Sequence, residues 1–168
     1  ILEQLELNYL KSINKSKEAI FLDIGANIGY YSLMSTKLGF KKVYAFEPVA
    51  HTFLRLQDNI KINSLGKIII PIQKAVGEKN ADEYINEDLE NIGNSSILIK
   101  GNKSKKIKIG MIELSNYLKK NNIMNIDAIK LDIEGYEDRA LINLFTNKQN
   151  KILPKLLIIE HSNKELWK

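Results

Sequence analysis

The sequence contains no cysteine, which excludes a disulfide scaffold, a thiolate zinc site and a cysteine nucleophile. None of its apolar runs approaches the roughly 20 residues that a membrane-spanning helix needs. The start of the chain also lacks the basic and then apolar pattern of a secretory signal. We therefore expect a cytoplasmic protein with no membrane span.

Arginine is scarce, since Arg55 and Arg139 are the only arginines among the 25 basic residues. The formal net charge is +5 and is carried almost entirely by lysine. Positive charge alone would favour a nucleic-acid partner, but proteins that read bases rely on the planar fork of arginine. The composition favours a solvated lysine surface, and we expect no nucleic acid among the partners.

The 168 residues, 44% of them hydrophobic, are enough to form one domain with a core. We assign residues 1–168 to a single domain, with an N-terminal helical segment at 1–18 and a polar insertion at 78–110. Elsewhere, short apolar runs alternate with segments of helical periodicity, which predicts an α/β fold with a doubly wound, mainly parallel sheet. The predicted strands lie at 19–24, 43–46, 68–72, 128–133 and 156–159, and the basic segment at 105–108 is a further candidate strand.

Acidic residues stand at the ends of four of these strands, where open α/β sheets bind their ligands. They are Asp23, Glu47, Asp132 with Glu134, and Glu160 with His161 beside it. An unpaired carboxylate next to a buried strand is costly, so packing alone does not explain the pattern. We expect these side chains to form a ligand site.

The segment from Gly25 to Gly29 has features of a nucleotide-binding loop. Gly25 permits a tight turn and Gly29 a close approach of the next helix, while Asn27 replaces the middle glycine of the dinucleotide pattern and tolerates positive φ. Asp23 would repel a diphosphate and attract a cationic ligand. Glu47 follows Gly25 by about 20 residues, where an acid holds the hydroxyls of a ribose. A ribose, a cationic group and no diphosphate together indicate S-adenosylmethionine.

Three sequence blocks carry a resemblance to a known family: FLDIGANIG at 21–29, VYAFEP at 43–48 and IKLDIEGYE at 129–137. The third, with the pattern K-x-D-x-E-G-x-E, is the most specific. On these blocks the chain resembles the FkbM family of S-adenosylmethionine-dependent methyltransferases. The resemblance implies a Rossmann-like class I methyltransferase fold, and we expect this chain to lack the last two strands usual for the class. It also implies O-methylation of a sugar or another small hydroxylated acceptor.

The residues and the resemblance together define the predicted site. Lys130, Asp132 and Glu134 alternate, so an extended strand would place them on one face. There Lys130 would neutralise part of the acidic charge, and Asp132 or Glu134 would accept a hydroxyl proton. His161 is the other candidate base, whereas His51 is expected at the surface or at a helix start. The predicted catalytic residues are Asp132, Glu134 and His161. The predicted cofactor-binding residues are Asp23, Gly25, Ala26, Asn27, Gly29, Glu47, Pro48, Ser96 and Asp132.

Several alternatives stay open at this point. A nucleic-acid methyltransferase has its best support in the lysine-rich segment at 100–108, and an NAD-type oxidoreductase is opposed by Asp23 and by the lost middle glycine. A non-catalytic module with a vestigial adenosyl pocket is the third alternative. For Ser96, a role in forming a turn is the alternative to contact with the cofactor. Four side chains could bind a divalent cation through oxygen and imidazole groups: Asp132, Glu134, Glu160 and His161. A sulfonium cofactor needs no metal, however, and we expect no metal ion at the site.

Overall fold

The computed structural model describes residues 2–88, 96–98, 104–146 and 152–160. The helices are α1 (Leu2–Ser12), α2 (Tyr30–Lys37), α3 (Ala50–Ile62), α4 (Leu114–Lys120) and α5 (Glu137–Thr146). The strands are β1 (Ile20–Ile24), β2 (Lys42–Phe46), β3 (Ile69–Ile72), β4 (Ala75–Gly77), β5 (Ala81–Asp88), β6 (Ser104–Glu113), β7 (Ala128–Leu131) and β8 (Leu156–Ile159). Among the described residues, none of the helices combines the length and apolar character that a membrane span requires.

The central sheet has five strands in the order β3-β2-β1-β7-β8, and every neighbouring pair is parallel. β1 and β7 lie in the middle and are buried along nearly their whole length, which explains why both were recognisable as apolar runs. Pro71 lies on β3, an edge strand, where its missing N–H is tolerated. The predicted doubly wound α/β fold is confirmed.

Each face of the sheet carries its own apolar core. One core joins α1, α2 and α3 to the sheet and includes Leu10, Phe21 and Leu56. The other joins α4 and α5 to the opposite face and includes Leu118 and Leu141. Because both faces are covered, the ligand-accessible part of the sheet is the edge where the strands end.

The described part of the segment expected to be a polar insertion contributes β5 and most of β6 to a second sheet in the order β4-β6-β5. β5 and β6 pair antiparallel, and β4 pairs parallel with β6. The buried side chains of this sheet, Ile85, Ile109 and Met111 among them, pack against Val49 and Tyr136. The described strands β5 and β6 of the insertion therefore form a wall beside the carboxyl edge of the central sheet.

Asp127 joins the opposite, amino-terminal edge of the sheet to the segment between α1 and β1. Its carboxylate accepts hydrogen bonds from the Ser16 backbone N–H and hydroxyl, both at 2.8 Å, and from the Ile20 N–H at 3.0 Å. The Lys155 ammonium also lies 2.8 Å away. Burial alone would raise the pKa of Asp127, but Lys155 and these hydrogen bonds outweigh it and lower the pKa to about 2.

Candidate active site

The loop after β1 turns sharply at three residues with positive φ. Gly25 has a φ of 80°, Asn27 of 51° and Gly29 of 95°, so the prediction that Asn27 sustains the turn is confirmed. The backbone N–H groups of Gly25 and Ala26 donate to the Phe46 carbonyl at 3.1 and 2.9 Å. These bonds tie the loop to the end of β2.

Gly25 and Gly29 each allow a close approach that a side chain would prevent. A Cβ on Gly25 would lie 1.9 Å from the carbonyl oxygen of Asp132, and one on Gly29 would lie 2.5 Å from Cδ1 of Leu56. Gly25 therefore brings the loop against the end of β7, and Gly29 packs the start of α2 against α3.

Glu47 bridges the loops that follow β1 and β2. Its Oε2 accepts from the Asn27 N–H at 3.1 Å, and its Oε1 accepts from the Val49 N–H at 2.9 Å. The side chain is buried, and burial raises the pKa of Glu47 to about 7 although both N–H groups oppose this rise. Each carboxylate oxygen has a second lone pair that can accept from a ligand hydroxyl.

Asp23 lies beneath the glycine loop and is only 1% exposed. Its Oδ2 accepts from the Ser32 hydroxyl at 2.6 Å, while its buried Oδ1 has no hydrogen-bond partner among the described residues. Burial raises the pKa of Asp23, against the effects of Lys130 and Ser32. The structure places the Asp23 carboxylate against Ser32 of α2, outside the lining of the two clefts described below, and the contact of Asp23 with a cofactor stays a prediction.

Asp132 follows β7 and pairs with a buried lysine. The Nζ of Lys130 lies 3.0 Å from Oδ2 of Asp132 and 4.5 Å from the centre of the Tyr31 ring. The expected neutralisation of acidic charge by Lys130 is therefore confirmed. Since Lys130 is almost fully buried, its charge is directed at Asp132 and Tyr31.

The predicted alternation of Lys130, Asp132 and Glu134 along one strand is wrong. β7 ends at Leu131, and the chain then turns through Glu134 with a φ of 54° and Gly135 with a φ of 93°. Glu137 holds this turn, because its Oε1 accepts from the N–H groups of Ile133 and Gly135 at 3.1 and 3.2 Å. Asp132 and Glu134 nevertheless line the same cleft, brought there by the turn and not by strand periodicity.

Ser96, which forms an isolated bridge with Asn86 of β5, supports this turn. The side chain is buried, and its hydroxyl donates to the Glu134 carbonyl at 2.8 Å and accepts from the Leu98 N–H at 3.2 Å. The first cleft is lined by its neighbour Ile97, and the predicted contact of Ser96 with the cofactor stays a prediction. Its hydrogen bonds give it a supporting role in the position of Glu134.

Glu160 is one of the strand-end acids expected to form the ligand site, although the sequence assigned it no specific role beyond a metal alternative. The β7–β8 register pairs Leu131 with Ile159 and places Asp132 beside Glu160. A hydrogen bond shared with Asp132, together with partial burial and nearby acidic charge, raises the pKa of Glu160 to about 7. The sequence signal that indicates a site role for Glu160 is its position at the end of a predicted strand. His161, the neighbouring candidate base, lies outside the described residues.

Two adjoining clefts open at this edge of the sheet. The first is narrow, about 80 Å³, and the second is about 600 Å³. They share Gly25, Asn27 and Asp132. Of the other predicted residues, Glu47, Pro48 and Glu134 line the first and Ala26 lines the second, whereas Asp23, Gly29 and Ser96 line neither.

Sequence reasoning missed the apolar wall of the first cleft. This wall comes from the segment after β2, from the second sheet and from the turn after β7, and its members are Val49, Ala75, Val76, Ile85, Ile97 and Tyr136. His51 lies in the first turn of α3, as expected, with its Nδ1 3.1 Å from the Glu87 carboxylate. Within the described residues there is no group of three or more side chains arranged to hold a metal ion.

A doubly wound parallel sheet with its clefts between a glycine loop and strand-end acids defines a Rossmann-like α/β protein. The sequence model of the methyltransferase FkbM domain matches residues 23–167. The chain therefore belongs to the FkbM methyltransferase family, and the resemblance noted in the sequence is confirmed.

Comparison with solved structures gives similarities at low identity. The crystal structure of methyltransferase FkbM from Methylobacillus flagellatus KT is 22% identical with a TM-score of 0.48. PRMT6 in complex with SAH is 12% identical with a TM-score of 0.49, and PRMT6 alone is 13% identical with a TM-score of 0.48. Each match covers 77% of this chain and 30% of the other. No curated protein matches the sequence.

Proposed function

We propose that this chain binds S-adenosylmethionine at the carboxyl edge of the sheet and methylates a hydroxyl oxygen of a sugar or another small hydroxylated acceptor. The observation that carries the proposal is the geometry of Glu47. This residue lines the first cleft, and its two oxygens each receive one backbone N–H and keep a second lone pair. This arrangement suits the two adjacent hydroxyls of a ribose.

The charges that line the first cleft fit a cationic ligand without phosphates. Glu47, Asp132 and Glu134 line it, with Lys74 as the one cation among its described lining residues. A positively charged sulfur is stabilised by such carboxylates, while a diphosphate would be repelled. The apolar wall offers surfaces for an adenine ring.

Ion pairing between β5 and β6 disfavours the nucleic-acid alternative. Lys108 on β6 pairs with Asp82 on β5 at 2.8 Å, and Lys105 lies opposite Glu87 in the strand register. The described part of the lysine-rich segment is thus interleaved with acids and does not form a continuous basic track of the kind that binds phosphates.

We assign Asp132 as the group that accepts the hydroxyl proton of the acceptor. The cofactor, when bound, would supply a methyl group, whose bond to the positively charged sulfur would break to leave neutral S-adenosylhomocysteine. Asp132 lies where the two clefts meet, so its carboxylate can orient an acceptor hydroxyl and take its proton as the oxygen–carbon bond forms. The ion pair with Lys130 holds the Asp132 carboxylate in this position. Glu134 is the alternative acceptor of the proton.

The test is calorimetric titration of the protein with S-adenosylhomocysteine. We expect binding in the unmutated chain and a loss of about tenfold or more in Glu47→Gln, because hydrogen bonds to a charged acceptor are worth about 1.5–3 kcal/mol. Glu83→Gln is the matched control, since Glu83 pairs with Lys79 on the second sheet and lines neither cleft. Equal affinities in Glu47→Gln and the control, or no binding at all, would refute the adenosyl site.

The acceptor, the cytoplasmic location and the extent of the domain stay predictions. The chain spans about 30% of the length of the solved structures that it matches. The acceptor class is therefore best tested with small probes at the site itself.

A further inference from the structure

We infer that the amino-terminal edge of the central sheet is a docking surface for a membrane that carries anionic lipid head groups. The surface consists of the connections that lead into β1, β2, β3, β7 and β8, together with the adjoining ends of α2 and α3; we call it the basic edge. It lies opposite the two clefts, so docking there neither needs nor excludes a bound cofactor and goes beyond the proposed function.

The parallel topology gathers lysines from distant parts of the sequence into one row. All five strands run in the same direction, so the residues that precede them lie at the same edge. The Lys41 N–H donates to the Ala19 carbonyl at 2.8 Å, and the Lys155 ammonium donates to the Asn14 carbonyl at 2.9 Å. Neighbouring strands lie about 4.8 Å apart, so the row extends over about 20 Å. The lysines of the connections are Lys15, Lys17, Lys41, Lys67 and Lys155.

Most of the positive charge on the basic edge is not neutralised within the protein. Lys155 is paired with Asp127. Glu18 and Asp58 are exposed acids of the same segments, which leaves the edge with a net positive charge. The exposed lysines that form no ion pair with any described residue are Lys17, Lys37, Lys41, Lys61 and Lys67.

Stabilisation of helix ends explains only part of this arrangement. Lys37 and Lys61 lie in the last turns of α2 and α3, where a cation interacts favourably with the partial negative charge of the helix end. Lys17, Lys41 and Lys67 lie outside the helices. Gathering these charges at one edge costs mutual repulsion, which an anionic surface outside the protein would relieve.

Exposed apolar side chains accompany the lysines on the basic edge. Ile62, the last residue of α3, is 78% exposed. Met124 and Leu153, in the connections before β7 and β8, are more than half exposed. Contact with a membrane surface combines these two groups, because lysines meet the lipid phosphates while apolar side chains enter the boundary between head groups and acyl chains.

The composition of the basic edge favours lipid over nucleic acid. The two arginines of the chain, Arg55 and Arg139, lie in the first half of α3 and near the start of α5, away from this edge. Nucleic-acid sites rely on arginine forks and on aromatic rings that stack on bases. The exposed apolar side chains Ile62, Met124 and Leu153 provide neither.

The test is sedimentation of the full chain with vesicles of phosphatidylcholine, alone or with about 30% phosphatidylglycerol. We expect binding to the anionic vesicles that is at least about tenfold tighter than to the neutral ones and that weakens between about 0.1 M and 0.5 M salt. Lys41→Gln combined with Lys67→Gln should weaken it about tenfold or more. Lys105→Gln combined with Lys106→Gln removes the same charge from β6, beside the opposite edge, and should weaken it by no more than about twofold.

A second pair of variants tests the apolar contact. Ile62→Ala should weaken vesicle binding about threefold or more, whereas Leu54→Ala, on the same helix and 60% exposed, should not. Urea unfolding of all variants verifies that they keep the fold. Absence of binding to the anionic vesicles, equal binding to both lipid compositions, or equal effects within either pair of variants would overturn the docking surface. RNA binding that the changes at Lys41 and Lys67 weaken, without vesicle binding, would assign the edge to nucleic acid instead.

Discussion

Gly25 is the residue on which the contact between the glycine loop and β7 depends. Its φ of 80° already disfavours a side chain, and a Cβ would collide with the Asp132 carbonyl. Gly39 separates these two effects, because it has a φ of 98° but no neighbouring atom within 4 Å of the place a Cβ would take. Comparing alanine at the two positions isolates the collision from the backbone strain.

We predict that Gly39→Ala lowers the free energy of unfolding by about 1–2 kcal/mol, the cost of a left-handed conformation. Gly25→Ala should cost about 4 kcal/mol or more, because strand β7 must also move, and it should abolish S-adenosylhomocysteine binding. Urea unfolding and calorimetry of both variants check this. Similar stability and affinity in the two variants would show that the close approach of Gly25 to Asp132 contributes neither to stability nor to binding.

At the level of single residues, the sequence allowed prediction of the positions that follow directly from the parallel topology of the sheet. The spacing of Gly25, Asn27 and Glu47 was informative because the ends of adjacent parallel strands meet at one edge. The Asp23 carboxylate accepts a hydrogen bond from Ser32 of α2, a contact that sequence spacing does not encode. The placement of Glu134 depends on a turn held by Glu137, which strand periodicity could not anticipate.

Among the secondary-structure elements, the β5–β6 hairpin connects fold stability to the site. Ile109 is buried in a core that includes Val49 and Tyr136, and both of these residues line the first cleft. A cavity at Ile109 would therefore loosen the wall of the cleft as well as the hairpin. Lys105 lies on the same strand and is exposed, so it provides a control.

We predict that Ile109→Ala lowers the free energy of unfolding by about 2–4 kcal/mol, as expected for truncating a buried isoleucine. It should also weaken S-adenosylhomocysteine binding, whereas Lys105→Ala should change stability by no more than about 0.5 kcal/mol. Urea unfolding and titration of the two variants give both quantities. A destabilised Ile109→Ala protein with unchanged affinity would mean that the second sheet does not shape the cleft.

The elements of the central sheet were predictable, and those of the second sheet only partly. In β6, Ile107, Ile109 and Met111 alternate with residues of the other face, a period that predicts a strand, although only 105–108 was recognised. β5 carried no such signal, because acids occupy several of its alternate positions. Its pairing with β6 is a long-range event that local pattern does not contain.

For the whole molecule, two buried carboxylates make stability depend on pH in opposite ways. Asp127 has its pKa lowered to about 2, so its stabilising contribution is present above about pH 4 and is lost as the pH falls toward 2. Glu47 has its pKa raised to about 7. The folded protein then binds more protons than the unfolded chain between about pH 4.5 and 7, so stability falls as the pH rises through this window. Burial shifts the pKa of Asp23 in the same direction.

We predict that the ligand-free protein unfolds at a higher urea concentration at pH 5 than at pH 8. The contribution of Glu47 is roughly 3 kcal/mol, and Glu47→Gln should reduce the difference to the part due to Asp23 and Glu160, whose pKa values are also raised. Affinity for S-adenosylhomocysteine should change in the opposite direction, being about tenfold weaker at pH 6 than at pH 8, because the ionised Glu47 is the better acceptor for ribose hydroxyls. Glu83→Gln should keep both dependences. Affinity that is equal at the two pH values, or stronger at pH 6, would show that the Glu47 carboxylate does not hold the ribose in its ionised form.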